Sequence, residues 1–427
     1  MDKETFLAAL KDLMAIESVA MLDPDDAHPY GSAPAAALDY VLALCQRFNI
    51  RTVNRDGHVA WAEIGQGDEI VGILSHLDVV PVGEGWQHDP KGEVCGDRLY
   101  GRGAVDDKGP TLAALFAMKE LQDAGTPLRR RVRLIFGQCE EVSSWDDIEY
   151  YKAHEQLPVF GFTPDADFPA IYGEKRILNY ELRMPLKGSG LLSASGGDAP
   201  NMVPAWAEAV PENDEGPVTY RAEGHSAHAS TPEKGLNAIS VLMETLAGIG
   251  VDSPLVRFYE RHIGFDNSGG KIGCDFADEQ SGVLTMNAGL LRCKEEDVVL
   301  TLDIRSPVTV EERCVREAIE EACTPYGIAL FCTENSAPVY MDKDGQVIQA
   351  MLEVYREVTG DFSEPTVIGG GTYARAMPGI VAFGPMQPGR ECTEHQADEY
   401  ILLDDLFQAE EIYRRTIEKL ANLALKS

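Results

Sequence analysis

Acidic and imidazole side chains that follow a short apolar run are the first candidates for chemistry in this chain. The wholly apolar run at 70–74 leads directly into Ser75, His76, Leu77 and Asp78. On an extended segment, residues two apart point to the same side. A metal-bound imidazole normally donates its second N–H to a carboxylate or carbonyl, which fixes the ring tautomer. His76-x-Asp78 is therefore a candidate metal-binding pair, although the same pattern also arises by chance.

A glycine-rich stretch carries the next acidic pair, Asp106 and Asp107, between Gly103 and Gly109. Such a loop at the start of a helix can bind phosphate. The stretch nevertheless lacks both G-x-x-x-x-G-K-[ST] and G-x-G-x-x-G, and two carboxylates would repel a phosphate. These features favour a metal over a phosphate.

Three further candidates follow later in the chain. Glu140 and Glu141 come just after an apolar run at 131–136, Asp165 lies in Thr-Pro-Asp-Ala, and His395 precedes the last predicted helix. The acidic pair and the Pro-Asp step each have an ordinary alternative, since both also suit a solvated turn. In combination, two histidines and several carboxylates near predicted strand ends suit a pair of zinc or manganese ions.

The elements that must position these residues alternate between strand and helix. Helices are predicted at 3–15, 33–48, 110–123, 235–249, 310–325, 345–359 and 398–423. Strands are predicted at 70–74, 131–136, 178–185, 218–223, 284–290, 297–304 and 379–384, and 81–110 is predicted to be a long loop. In open α/β sheets, sites form at the carboxyl ends of the strands.

The change of pattern near residue 178 indicates an inserted domain. We predict an α/β catalytic domain with a mostly parallel sheet flanked by helices, interrupted by a smaller α+β lid domain. The predicted boundaries are 1–177 and 337–427 for the two parts of the catalytic domain and 178–336 for the lid.

Composition excludes several classes of partner. The 427 residues carry a net charge of −33, which argues against binding nucleic acid or anionic lipid. The nine scattered cysteines form no C-x-x-C pair, which favours a reducing compartment. No signal-peptide pattern or apolar run of membrane-spanning length is present. We therefore expect a cytoplasmic protein with no membrane partner.

Several motifs together resemble a known family. They are Ser75–Pro81, Gly85-Trp86, Asp89-Pro90, Tyr100–Gly103 and Asp106–Gly109. The set is similar to the dinuclear metallopeptidase family of carboxypeptidase G and aminoacylase. Within that family, 161–169 and 369–375 resemble the peptidase V-type (Sapep-like) bacterial dipeptidases.

The resemblance implies a role for each matching residue. His76, Asp106 and Asp165 would hold one metal, and Asp106, Glu141 and His395 would hold the other, so that Asp106 bridges the two. Asp78 would orient His76, and Glu140 would be the general base that takes a proton from a metal-bound water. We expect two divalent metal ions, zinc first, since imidazole and carboxylate ligands suit zinc, manganese and cobalt alike.

The resemblance also assigns substrate-binding residues, some in the lid and some in the second part of the catalytic domain. His228 would stabilise the oxyanion. Residues that would hold the polar ends of the substrate are Asn201, Arg305, Gly369, Gly370, Gly371 and Arg375. The expected partner is a small peptide, and the chain is expected to be a monomer or a homodimer.

Three functions remain open at this point. The first is a metal-dependent exopeptidase for dipeptides or very short peptides. The second is a deacylase that splits N-acyl amino acids at the same site. The third is a non-catalytic, metal-dependent binding protein, which the intact set of candidate residues disfavours.

Overall fold

The computed structural model describes residues 2–21, 28–142, 144–213, 216–294 and 296–424. Its α-helices are α1 Lys3–Met14, α2 Ser32–Arg47, α3 Lys108–Asp123, α4 Asp146–His154, α5 Ala238–Gly248, α6 Pro254–His262, α7 Glu312–Cys323, α8 Gln346–Thr359 and α9 Leu403–Asn422. Within the described residues, none of these helices has the length and apolar character needed to cross a membrane.

The strands fall into two groups along the chain. The first group is β1 Arg51–Arg55, β2 Val59–Ile64, β3 Ile70–His76, β4 Glu93–Cys95, β5 Arg98–Tyr100, β6 Arg131–Gly137, β7 Phe160–Thr163, β8 Ala166–Asp167 and β9 Ile171–Glu174. The second is β10 Arg176–Pro185, β11 Leu191–Gly196, β12 Trp206–Pro211, β13 Tyr220–Glu223, β14 Ala277–Asp278, β15 Gly282–Val283, β16 Thr285–Lys294, β17 Asp297–Ser306, β18 Ala329–Ser336, β19 Val339–Tyr340, β20 Thr366–Ile368, β21 Ile380–Ala382, β22 Pro385–Met386 and β23 Tyr400–Leu402.

The chain divides into two compact units. Unit 1 comprises 1–172, 341–366 and 372–427, and unit 2 comprises 173–340 and 367–371. The short segment 367–371 therefore groups with unit 2, although the domain limits drawn from the sequence place it in the catalytic part. The division into a catalytic domain and a lid at the limits drawn from the sequence remains a prediction.

Unit 1 is built on a mixed sheet with the strand order β1-β2-β6-β3-β7-β21. The central neighbours β6, β3, β7 and β21 run parallel, and β1 and β2 are antiparallel at the edge. Every residue of β3 is buried, as expected for a parallel strand covered on both faces. The predicted α/β class is confirmed, with the refinement that β1 and β2 pair antiparallel while the other four strands pair in parallel.

Helices α3 and α9 contact each other along their length in unit 1. Nearly all of α3 is buried, and Pro110 stands in its first turn, where its missing N–H costs no hydrogen bond. Helix α9 buries one stripe of apolar residues that includes Leu406, Ile412 and Ile417. The two helices thus fix the position of the loop that precedes α3.

Unit 2 contains an antiparallel sheet with the strand order β13-β12-β11-β16-β17-β10-β18. Alternate residues of β17, among them Leu300, Leu302 and Ile304, share one apolar core with α5, α6 and α7. Because strand side chains alternate between faces, Asp303 and Arg305 lie on the opposite face of the sheet. The unit is therefore α+β, as predicted.

Two predicted elements need correction. The predicted loop at 81–110 contains the β4–β5 hairpin, and α3 already begins at Lys108. The last helix begins at Leu403 rather than 398, because Tyr400–Leu402 pairs with β5 as β23. Both errors have one cause: strands of three residues are too short to show a period in the sequence.

Candidate two-metal site

The carboxyl ends of three adjacent parallel strands bring the candidate ligands of unit 1 together. His76 is the last residue of β3, Glu140 and Glu141 follow β6, and Asp165 follows β7. The strands lie in the order β6-β3-β7. Their ends therefore meet at one edge of the sheet, which is where open α/β folds place their sites.

The glycine-rich loop before α3 presents Asp106 to the same edge. Its shape depends on Glu399, which accepts main-chain N–H bonds from Gly103 (3.1 Å) and Val105 (2.9 Å) and pairs with Arg102 at 2.6 Å. The Glu399 carboxyl is fully buried, and burial raises its pKa to about 7. Strand β23 joins this carboxylate to the loop because Tyr400 pairs with Tyr100.

The donor atoms form two groups that share Asp106. His76, Asp106 and Asp165 form one, and Asp106, Glu141 and His395 form the other; within each group the possible ligand atoms lie within 4.8 Å of one another. His76 Nε2 lies 2.9 Å from Asp106 Oδ1, and His395 Nε2 lies 2.9 Å from Asp106 Oδ2. Each oxygen of Asp106 thus faces a different imidazole, as expected of a carboxylate that bridges two cations.

Several buried donor atoms of the site are better suited to binding cations than to hydrogen bonding with one another. His76 Nε2 and Asp106 Oδ1 lie 2.9 Å apart without forming a hydrogen bond of normal geometry. Glu141 Oε1 is also buried and has no hydrogen-bond partner among the described residues. Unpartnered polar atoms are costly in a protein interior, so such atoms in both of these adjoining groups indicate cations that the protein itself does not supply.

The charges of the cluster support the same conclusion. Burial, with added repulsion from Asp106, raises the pKa of Asp165 to about 8. Burial also raises the pKa of Glu140 and of Glu141. Added positive charge would stabilise carboxylates crowded in this way as anions. Imidazole and carboxylate donors suit zinc, manganese or cobalt, and the set contains no sulfur.

His76 is held as the tautomer that a metal ligand requires. Its Nδ1 lies 3.0 Å from the main-chain carbonyl oxygen of Asp78. An Nδ1–H that donates to this carbonyl leaves the Nε2 lone pair directed at Asp106. The carboxylate of Asp78 is farther from Nδ1, at 3.5 Å, so the main chain of Asp78 contributes more to the ring orientation than its side chain does.

The Asp78 carboxylate accepts hydrogen bonds mainly from the main-chain N–H groups of the acidic pair. Its Oδ1 accepts the N–H of Glu140 at 3.2 Å, and its Oδ2 accepts the N–H of Glu141 at 3.0 Å. Asp78 is fully buried. One carboxylate therefore fixes the turn that carries both Glu140 and Glu141.

Four further residues support the site, and none of them was assigned a role from the sequence. Asp107 Oδ2 accepts from the N–H of His76 at 3.2 Å. Asp147 Oδ2 accepts from the N–H of Gln138 at 2.6 Å and from the Tyr373 hydroxyl at 2.8 Å, and the Tyr373 ring packs edge-on against His76. Glu399 completes the set. Asp107, beside Asp106, and Tyr373, within 369–375, lie in motifs visible in the sequence, whereas Asp147 and Glu399 do not.

Unit 2 brings together another group of predicted residues. Met202, next to Asn201, forms an isolated β-bridge with His228, and Ala229 N–H donates to Asn201 carbonyl oxygen at 2.9 Å. The Ser230 N–H donates to His228 Nδ1 at 3.2 Å, and the Ser230 hydroxyl lies 2.7 Å from the same nitrogen. Since Nδ1 accepts the main-chain bond, a neutral His228 carries its proton on Nε2.

Arg305 is already paired within unit 2. It forms a two-pronged ion pair with Asp303, at 2.7 and 2.8 Å, and donates to the Gly369 carbonyl oxygen at 3.1 Å. A side chain at 369 would lie 2.9 Å from Ser230 Cβ, so glycine permits this close approach. Gly370 and Gly371 continue the same segment of unit 2. Arg375 is part of a short 3-10 helix in unit 1, Tyr373–Ala376.

Comparisons with known proteins identify the family of the chain. The family model described as Peptidase family M20/M25/M40 matches residues 72–419. That range is most of the chain and includes every residue of both ligand groups. The chain belongs to this family, and it is therefore a hydrolase of peptide bonds.

Relatives match over nearly the full length. The Bacillus subtilis (strain 168) protein named "Putative dipeptidase YtjP" is 38% identical, with 98% of each chain covered. Among solved structures, the family M20 metallo-carboxypeptidase of Sulfolobus solfataricus has a TM-score of 0.62 at 20% identity, covering 99% of this chain and 100% of that one. Aminoacylhistidine dipeptidase of Vibrio alginolyticus has a TM-score of 0.63 at 13% identity, covering 99% and 97%. At these identities the structures establish the fold.

Proposed function

We propose that this chain is a dinuclear metallo-dipeptidase. The observation that carries the proposal is the pair of three-residue ligand groups that share Asp106, beside the half-buried Glu140. The names of the full-length relatives support dipeptides as the substrate class. Zinc is the metal we propose, and manganese and cobalt suit the same donors.

The residues divide the work at the metal site. We assign one cation to His76, Asp106 and Asp165 and the other to Asp106, Glu141 and His395. When bound, the two ions lower the pKa of water and polarise the scissile carbonyl. Asp78 holds Glu140 and Glu141 in place through their N–H groups.

Glu140 is the proposed general base. Burial and the neighbouring carboxylates raise its pKa, while His76 opposes the shift. A carboxylate of raised pKa is a stronger base than one in water. Glu140 takes a proton from the attacking water and returns it to the leaving amine.

The inserted unit is the proposed substrate-recognition domain and lid. Burial and the charge of Arg305 lower the pKa of His228, which favours the neutral ring. With Nδ1 accepting from Ser230, the Nε2–H is a donor suited to an oxyanion. Asn201, Arg305, Gly369, Gly370, Gly371 and Arg375 are the proposed contacts for the polar ends of a short peptide.

We also propose that the enzyme works in the cytoplasm. All nine cysteines lie within the described residues and are free thiols, which is typical of proteins from reducing compartments. We further propose that the working form is a monomer or a homodimer. The molar mass measured by light scattering distinguishes the two.

The test is hydrolysis of a substrate panel by metal-stripped protein, with zinc, manganese or cobalt added back. The panel contains dipeptides, matching tripeptides and the corresponding N-acetyl amino acids. Metal-restored cleavage confined to dipeptides supports the proposal. Cleavage only of the N-acetyl compounds would replace it with a deacylase, and no cleavage with any metal would leave a binding protein.

A further inference from the structure

A second kind of ligand cluster lies on the β4–β5 hairpin of unit 1, and it uses none of the residues assigned above. His88, Glu93 and Cys95 have possible ligand atoms that all lie within 4.8 Å of one another. Glu93 and Cys95 are two residues apart on β4, so both side chains leave the same face of the strand. His88 belongs to the segment that leads into the hairpin.

Neighbouring groups hold the His88 ring in place. The ring stacks on Tyr100 with 3.8 Å between centroids and 17° between planes. Tyr100 is the cross-strand partner of Glu93, which explains why the imidazole and the Glu93 carboxylate meet. The His88 N–H donates to Asp398 Oδ1 at 3.0 Å, so the main chain of His88 is held as well.

The Glu93 carboxylate is similarly oriented. Its Oε2 accepts the N–H of Asp89 at 2.9 Å, and its Oε1 lies 3.4 Å from His88 Nδ1. Two ligands of a tetrahedral zinc ion at about 2.0–2.1 Å are roughly 3.3 Å apart. The observed separation therefore suits two donors to one ion.

We propose that His88, Glu93 and Cys95 form a third cation site, for zinc or a similar thiophilic divalent metal. One sulfur, one nitrogen and one oxygen donor match zinc and cobalt(II) and do not suit magnesium or calcium. Three protein ligands leave the fourth position to water, since Cys95 is exposed. The proposal stands independently of the dipeptidase activity.

The thiolate gives this site a spectroscopic signature that the Asp106 site lacks. Metal-stripped protein is titrated with cobalt(II), and the near-ultraviolet sulfur-to-cobalt charge-transfer band is recorded. We expect the band to appear in the wild type and to be lost in Cys95→Ser. The matched control is Cys332→Ser, which removes another exposed thiol and should keep the band.

A second variant tests the imidazole. His88→Gln should weaken cobalt binding at the thiolate by more than roughly tenfold, the lower end of what even outer-shell substitutions cost a metal site. Unchanged thermal unfolding of the metal-stripped variants shows that they are folded. No band in the wild type at saturating cobalt, or a band that persists in Cys95→Ser, would overturn the proposal.

Discussion

Replacing Asp78 with asparagine tests a residue that supports the metal site without changing any proposed metal ligand. The Asp78 carboxylate accepts the N–H groups of Glu140 and Glu141 at 3.2 and 3.0 Å. Asparagine has a single acceptor oxygen. At least one of the two N–H groups must then face an amide NH₂, which is a donor, and the turn has to shift.

The size of the effect follows from the bonds that change. A hydrogen bond to a charged group contributes about 1.5–3 kcal/mol, and each 1.4 kcal/mol corresponds to roughly a tenfold change. Loss of one such bond therefore predicts a decrease in kcat/KM of roughly 10- to 150-fold. Metal affinity should fall by roughly 10- to 100-fold, as for other outer-shell partners of metal ligands.

The assay is steady-state hydrolysis of the preferred dipeptide, together with metal binding measured by competition with a chelator. Asp344→Asn makes the same chemical change at an exposed position of unit 1 and should behave like the wild type. If Asp78→Asn keeps both kcat/KM and metal affinity within twofold of the wild type, the proposed support of the Glu140–Glu141 turn is wrong.

Two further predictions concern the inserted unit and the stability of unit 1. Ser230→Ala should lower kcat by roughly fivefold, because loss of one hydrogen bond of about 1 kcal/mol weakens the hold on the His228 tautomer. Ser226→Ala removes a hydroxyl that bonds to the Val203 carbonyl instead; equal kcat values in the two variants would contradict the tautomer argument. Burial and repulsion from Glu120 raise the pKa of Glu410 from 4.5 to about 7, so the folded protein holds this proton more tightly than the unfolded chain does. Its contribution is fully present below pH 4.5 and is lost as the pH rises through about 7. In denaturant unfolding curves, the free energy of unfolding of the wild type should therefore fall by about 3 kcal/mol across that range, and Glu410→Gln should abolish this fall. Curves of unchanged pH dependence would contradict it.

The sequence was most informative about candidate metal ligands that lie at or just after the end of a predicted strand. His76 and Glu141 follow apolar runs that form adjacent parallel strands, so their convergence follows from the sheet topology. Asp106 was found from the acidic pair in a glycine-rich loop before a helix. These predictions depend on local patterns that can be recognised in a single sequence.

The supporting contacts could not be predicted in this way. Glu399 binds Gly103 across 296 residues, and no local pattern marks a glutamate that will be buried beside a distant loop. The same holds for Asp147, which looks like an ordinary residue at the start of a helix until Gln138 and Tyr373 are seen to donate to it. Short strands such as β5 and β23 depend on each other for pairing, so neither is recognisable alone.

The most direct test of the central claim is turnover by Glu140→Gln with its metal content measured in the same sample. Glutamine keeps the size of the side chain and removes the base. We predict that the variant binds two metal ions and loses roughly 10²- to 10⁴-fold in kcat on the preferred dipeptide, the usual contribution of a general base. Turnover close to that of the wild type with two metals bound would contradict the assignment of Glu140, and with it the proposed mechanism.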